Sequence, residues 1–277
     1  MGRWAPAGLM ALSGASLYAG AALAVGLFDA LAPALVAWLR ISAAALLLLA
    51  LRRPAPRDFV GRAGAHAAVF GLMTMGMNMA FYLAIASIPL GTAVAVEFLG
   101  PVAIAALGSR SARDWAALAL AAAGVLVISG ATWSGHGSGI LWALAAGALW
   151  AGYIVTGSRI ASGGASRSAT AVGFAWAALL AAPAVLALWP RGVVGAEIAP
   201  AQFALLWLGL GLLSAAIPYS LDQVVMRMAG ASRFALLQAI LPLVATVIGA
   251  VALGQMLSAA EAAGIALIVA AVALRRP

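Results

Sequence analysis

The 277-residue chain is 66% hydrophobic and only 8% charged, with a mean hydropathy of +1.11, and a soluble globular domain needs far more charge to cover its surface. Its formal charge of +8 comes from arginine without any lysine, and cysteine is absent, which excludes disulfides and thiol chemistry. The composition is that of an all-α polytopic protein embedded in a lipid bilayer, where basic charge marks loops rather than a nucleic-acid partner.

Charges, prolines and glycine-rich turns divide the sequence into ten apolar stretches, each of the length that crosses ~30 Å of hydrocarbon at ~1.5 Å per residue. The first, 7–27, carries Tyr18. It is long enough to span and is followed at once by another, so it reads as a retained helix and not a cleaved signal. The second, 31–51, holds Arg40, and the third, 63–85, places Thr74, Asn78 and Tyr82 at steps of four on one helical face. The fourth, 90–108, contains Glu97, Gly100 and Pro101. Proline has no amide hydrogen and its ring collides with the carbonyl four residues back, so Pro101 frees the carbonyl of Glu97. A kink for packing and a cavity lined by both the carbonyl and the carboxylate fit equally.

The fifth stretch, 115–131, and the sixth, 138–157, are separated by a Gly- and Ser-containing segment, and the sixth carries Trp150 and Tyr153. "SRIASGGASRS", Ser158 to Ser168, reads as a connection to the seventh stretch, 169–189, which holds Trp176. The eighth, 203–225, carries Tyr219, Asp222 and Gln223, with Asp222 expected near the membrane surface beside Arg227 and Arg233. The ninth, 234–253, carries Gln238 and Pro242, and the tenth is 259–274. Trp4, Trp115, Trp133, Trp189 and Trp207 sit near stretch ends, as interfacial anchors do.

With ten crossings, Arg3, Arg52, Arg53, Arg57, Arg62, Arg110, Arg113, Arg159, Arg167, Arg227, Arg233, Arg275 and Arg276 fall on one side, and only Arg191 on the other. That bias predicts cytoplasmic N- and C-termini. The arginine-rich, lysine-free composition suits a GC-rich bacterial genome, hence the bacterial inner membrane.

An internal repeat runs through the chain. Asn78 to Gly108 lies on Tyr219 to Gly249 without a gap, which puts Glu97 on Gln238 and Pro101 on Pro242, and "LYAG" at Leu17 recurs as "LWAG" at Leu149. The expected fold is therefore ten transmembrane helices as two inverted five-helix repeats, 1–131 and 138–277.

This repeat, "AWLRISAAALLLL" around Arg40 and "SIPLGTAVAVEFLGPVAIAALGSR" resemble the EamA-type drug/metabolite transporter superfamily. The last stretch resembles its amino-acid exporter branch, the threonine/homoserine exporters and YddG-like aromatic amino-acid exporters. The resemblance implies an exporter of amino acids, aromatic or small and neutral such as threonine or methionine, working by alternating access. It also implies a cavity lined mainly by helices one, three, four, six, eight and nine.

The candidate substrate-binding residues are Glu97, Asn78, Tyr82, Arg40, Tyr219, Gln223, Gln238, Tyr18, Trp150 and Tyr153, with Gly100, Pro101 and Pro242 shaping the helices. Arg40 and Glu97 lie at matching depths, ~14 Å and ~11 Å below the outer surface. They fit a pair that reads a zwitterion, a buried ion pair, or an arginine held by carbonyls. A multidrug or other small-metabolite exporter is the alternative. No HExxH, GxSxG or Walker motif occurs, and His66 and His136 stand apart, so the sequence points to no enzyme, no metal site and no cofactor. The expected partner is a small-molecule substrate, and a monomer suffices for it.

Overall fold

The computed structural model describes residues 5–107, 111–162, 168–187, 189–190, 199–238 and 240–274. Trp4 and Arg3, Arg110, Arg167, Arg191, Arg275 and Arg276 lie outside the described residues, as do the side chains of Trp133, His136 and Arg233 and much of the connection before the seventh stretch.

Every regular element among the described residues is helical: α1 (Ala5–Val25), α2 (Pro33–Arg52), a short 3-10 turn (Pro56–Phe59), α3 (Gly61–Ile85), α4 (Leu90–Glu97), α5 (Leu99–Leu107), α6 (Ala112–Ser162), α7 (Ala169–Ala187), α8 (Pro200–Gly211), α9 (Ile217–Leu237), α10 (Ile240–Leu253) and α11 (Ala259–Leu274). Six stretches, Ala5–Val25, Pro33–Arg52, Gly61–Ile85, Gly137–Ile160, Ala169–Ala187 and Pro200–Met228, are long and apolar enough to cross a membrane, and four shorter apolar helices accompany them. This is the helical, polytopic membrane class that the composition demands.

Local chemistry sets several boundaries. Proline opens α2 and α8, where its missing amide hydrogen costs nothing and its fixed φ suits the first turn. Gly254 adopts φ 64° just after α10. At the start of α11, Ser258 and Glu261 form a reciprocal cap: the Ser258 amide donates to Glu261 Oε2 at 2.9 Å and the Glu261 amide to Ser258 Oγ at 3.2 Å. The other oxygen of Glu261 accepts from Thr92 Oγ1 at 2.8 Å, which fastens α11 to α4.

Two expected connections lie inside helices instead. The segment between 131 and 138 belongs to α6, a helix of 51 residues. No proline occurs between Ala112 and Ser162, and glycines in a helix interior cost only about 1 kcal/mol each. At ~76 Å this helix exceeds one hydrocarbon thickness more than twofold. Its two portions pack on different partners: Gly124 faces Gly264 and Ile268 of α11, whereas Gly139, Gly147, Gly152 and Gly157 face Ile88, Glu97, Met73 and Phe70. The expected connection at 226–233 likewise falls within α9, and the fourth and ninth stretches are each interrupted. Phe98 separates α4 from α5, and α9 ends at Leu237 with α10 beginning at Ile240. These interruptions coincide under the same shift that lays Asn78 on Tyr219.

A π-helical turn, Leu212–Ala216, joins α8 to α9. Pro218 follows it and cannot donate to the carbonyl of Ser214, so the wide turn lies where the helix ladder loses that bond. α1 packs along this turn. Ser16 Oγ donates to the Leu213 carbonyl at 2.6 Å, and a Cβ on Gly20 would collide with Ser214.

In lipid there is little hydrophobic drive between helices, so close approach of small residues supplies the packing. Gly71 and Gly173 bring α3 and α7 together, and Gly100 and Gly147 do the same for α5 and α6. A Cβ on Gly71 would strike the Gly173 carbonyl, and one on Gly100 the Gly147 carbonyl.

Candidate functional site

The helices converge on a buried cavity with about 40 Å³ open to the centres of water-sized molecules. At roughly 10–15 Å³ for each water, that is room for about three. α1 contributes Leu17 and Tyr18, and α3 contributes Met77, Asn78 and Phe81. Glu97 comes from the end of α4, Trp150 and Tyr153 from α6, and Tyr219 and Asp222 from α9. Gln238 and Leu241 flank the start of α10, and Arg40 enters from α2. Apart from α2, these elements carry the first, third, fourth, sixth, eighth and ninth apolar stretches, which the family resemblance implies as the lining.

Arg40 is buried, and its Nη2 donates to the carbonyl of Ser214. That is the carbonyl Pro218 leaves free, so the arginine occupies the gap in the helix ladder of α9. Its guanidinium also lies over the Tyr82 ring, 5.2 Å from the centroid, a cation–π contact. The Nε of Arg40 has no hydrogen-bond partner in the protein. Of the three sequence readings, the arginine held by a carbonyl is the arrangement observed. Among the described residues no ion pair or hydrogen bond reaches the carboxylate of Glu97, which is 6% exposed.

The freed carbonyl of Glu97 does not share the cavity with its side chain. It lies against Gly147 of α6, where any Cβ would crowd it at 2.6 Å. Gly100 and Pro101 therefore shape a tight α5–α6 contact as well as the break at Phe98. In the second half the corresponding carbonyl of Gln238 is taken by the amide of Leu241 at 2.9 Å, so Pro242 leaves it satisfied.

Eight of the ten candidate side chains border the cavity; Tyr82 and Gln223 do not. Asn78 faces the cavity, whereas Tyr82 lies under Arg40 with its ring edge toward Phe28 at 5.7 Å. Gln223 is only half-buried. Asn78 Nδ2 donates to the Thr74 carbonyl at 2.6 Å and to Tyr219 Oη at 2.9 Å, joining the two matching positions of the repeat across the cavity. Trp150 meets Phe98 edge-on at 5.8 Å, beside the α4–α5 break.

Asp222 departs most from expectation. It is buried in the cavity wall and not paired at the membrane surface, because α9 continues to Leu237 and sets it in mid-helix. Ser13 Oγ of α1 donates to its Oδ1 at 2.8 Å. One signal for it was in the sequence, since the shift that pairs Asn78 with Tyr219 also pairs Phe81 with Asp222, and both line the cavity. Gln238 Oε1 is buried there without a protein partner. Buried polar atoms of this kind are rare in a folded protein and mark a place for a polar ligand.

Residues 137–275 match the model of the EamA-like transporter family. The threonine/homoserine exporter RhtA of Salmonella typhimurium strain LT2 is 35% identical over 274 residues, covering 97% of this chain and 90% of the relative. The chain belongs to the EamA-like transporter family. RhtA of Escherichia coli strain K12 is 34% identical over 277 residues, with the same coverage of both chains. A solved crystal structure superposes on this EamA-like chain with a TM-score of 0.66 at 24% identity, covering 97% of this chain and 96% of the other, and shares its fold.

Proposed function

We propose that this chain exports small neutral amino acids of the threonine and homoserine kind across the bacterial inner membrane. Residues 1–131 and 138–277 act as inverted halves that open the cavity to each side in turn, with both termini cytoplasmic, an arrangement that requires the long helix α6 to bend sharply between its two portions. The observation that carries the proposal is the cavity itself, where an arginine with a free Nε and a carboxylate without an ion partner are buried together. An α-amino acid presents the complementary carboxylate and ammonium, and charge-assisted bonds to both are the strongest contacts a small substrate makes. The likeness to threonine/homoserine exporters along nearly the whole chain supports the same class.

A second reading, export of lipophilic cations, draws on one observation: two carboxylates border the cavity against a single guanidinium. Counterflow in proteoliposomes decides between them, with threonine, homoserine, methionine, phenylalanine and a cationic dye as internal substrates. Threonine and homoserine are expected to exchange fastest. Dye exchange without amino-acid exchange would overturn the first reading in favour of the second.

The crossing pattern has its own test in this cysteine-free background. Single cysteines replacing Ser134 and Ser162 should react with an impermeant maleimide from outside and from inside respectively. Reaction of both from one face would refute the inverted arrangement.

A further inference from the structure

The cavity holds one more charged group than a zwitterion needs. Arg40 matches the substrate carboxylate and Glu97 its ammonium, which leaves Asp222, 9% exposed, without an assigned partner on the substrate. We propose that Asp222 reads the side-chain hydroxyl of the substrate, accepting a hydrogen bond from it next to the one it already accepts from Ser13. The inference rests on the amino-acid export reading and names the feature of the substrate that the site selects.

Three observations carry it. Ser13 Oγ sits 2.8 Å from Oδ1, so the structure already contains an aliphatic hydroxyl on this carboxylate, the same chemical group a hydroxylated amino acid would bring. An ionised carboxylate only accepts hydrogen bonds, so among neutral side chains of one shape it favours the one bearing O–H. A valine in place of threonine would bury the carboxylate against methyl groups, and a site built to bond a hydroxyl rejects such an analogue strongly. Finally, the matching position in the first half is Phe81, which makes this wall apolar on α3 and acidic on α9. Tyr219, one turn earlier on α9, accepts from Asn78 at 2.9 Å.

The bland alternative is that Asp222 only fastens α9 to α1 through Ser13. Substrate preference separates the two, because a fastening affects all substrates alike. The test uses purified wild type, Asp222→Asn, Asp222→Leu and Ser13→Ala in proteoliposome counterflow, with two pairs of near-equal shape, threonine against valine and homoserine against norvaline.

Wild type is expected to favour the hydroxylated member of each pair about tenfold or more, as loss of one good hydrogen bond implies. In Asp222→Leu that ratio should fall toward one, and in the isosteric Asp222→Asn it should fall severalfold. Ser13→Ala removes the fastening but keeps the carboxylate, so its ratio should stay well above that of Asp222→Leu. Should Asp222→Leu fail to insert, Asp222→Asn decides alone. An unchanged threonine-to-valine ratio in the Asp222 variants would overturn the proposal, as would equal exchange of both pairs by wild type. A wild-type preference for 2,4-diaminobutyrate over homoserine would replace the hydroxyl with a second ammonium and overturn it too. Absence of exchange for every amino acid in wild type would instead sink the export reading beneath it.

Discussion

Glu97→Gln should weaken substrate binding by about ten- to hundredfold, the equivalent of a charge-assisted hydrogen bond of ~1.5–3 kcal/mol, while the protein still inserts and folds. The substitution keeps shape and hydrogen-bonding capacity and removes only charge. No ion pair or hydrogen bond among the described residues reaches this carboxylate, so folding gains little from its charge beyond the attraction of Arg40 across the cavity. A buried charge without a partner costs energy, so thermal stability in detergent should hold or rise as transport falls. That opposite movement distinguishes a substrate contact from a structural one. Wild-type exchange rates, or a stability loss that parallels the transport loss, would contradict the role assigned to Glu97. The measurement is KM from counterflow alongside the melting midpoint of the purified protein.

Arg40→Met should damage both properties. Its Nη2 holds the Ser214 carbonyl that Pro218 strands, and removing the donor leaves that buried acceptor unmet at a cost of about 1–3 kcal/mol. At roughly 2–4 °C for each kcal/mol, the melting midpoint should drop by something between 2 and 12 °C. Transport should be lost in addition, since no other cation among the cavity-lining residues can meet a substrate carboxylate. Arg40→Lys keeps the charge but lacks the planar fork that serves carbonyl and substrate together. It should recover part of the stability and less of the transport. A variant with normal stability and no transport would remove the carbonyl bond from the account. Normal transport would remove the substrate contact.

Much of the cavity was legible because expensive residues in lipid have few reasons to be there. Glu97 and Arg40 stood out as charges in apolar stretches, and the repeat carried Asn78 onto Tyr219 and Glu97 onto Gln238. What failed were inferences from boundaries. Arg227 and Arg233 suggested a loop, and Asp222 was assigned to the surface beside them, whereas the helix runs on and carries Asp222 into the centre. Tyr82 and Gln223, placed together at steps of four, lie outside the residues that border the cavity, whereas Phe81 and Asp222, one residue earlier on each helix, border it. Pro218 passed unnoticed, although the rule applied to Pro101 finds it: the carbonyl it strands four residues back belongs to Ser214, and Arg40 is the group that answers it. The second carbonyl on that logic, at Glu97, went to packing and not to the cavity, since only three-dimensional proximity brings Gly147 beside it.

The backbone contacts of Gly71 with Gly173 and of Gly100 with Gly147 bear on how the chain can drift over generations. Glycine is the smallest residue, so every single mutation at these four positions adds bulk where carbonyl already meets the missing Cβ. Helices so joined can lose their spacing by one change, yet regain it only by reversion or by moving both helices apart. Such positions act as one-way doors in the space of neighbouring sequences. They hold the α3–α7 and α5–α6 spacings fixed.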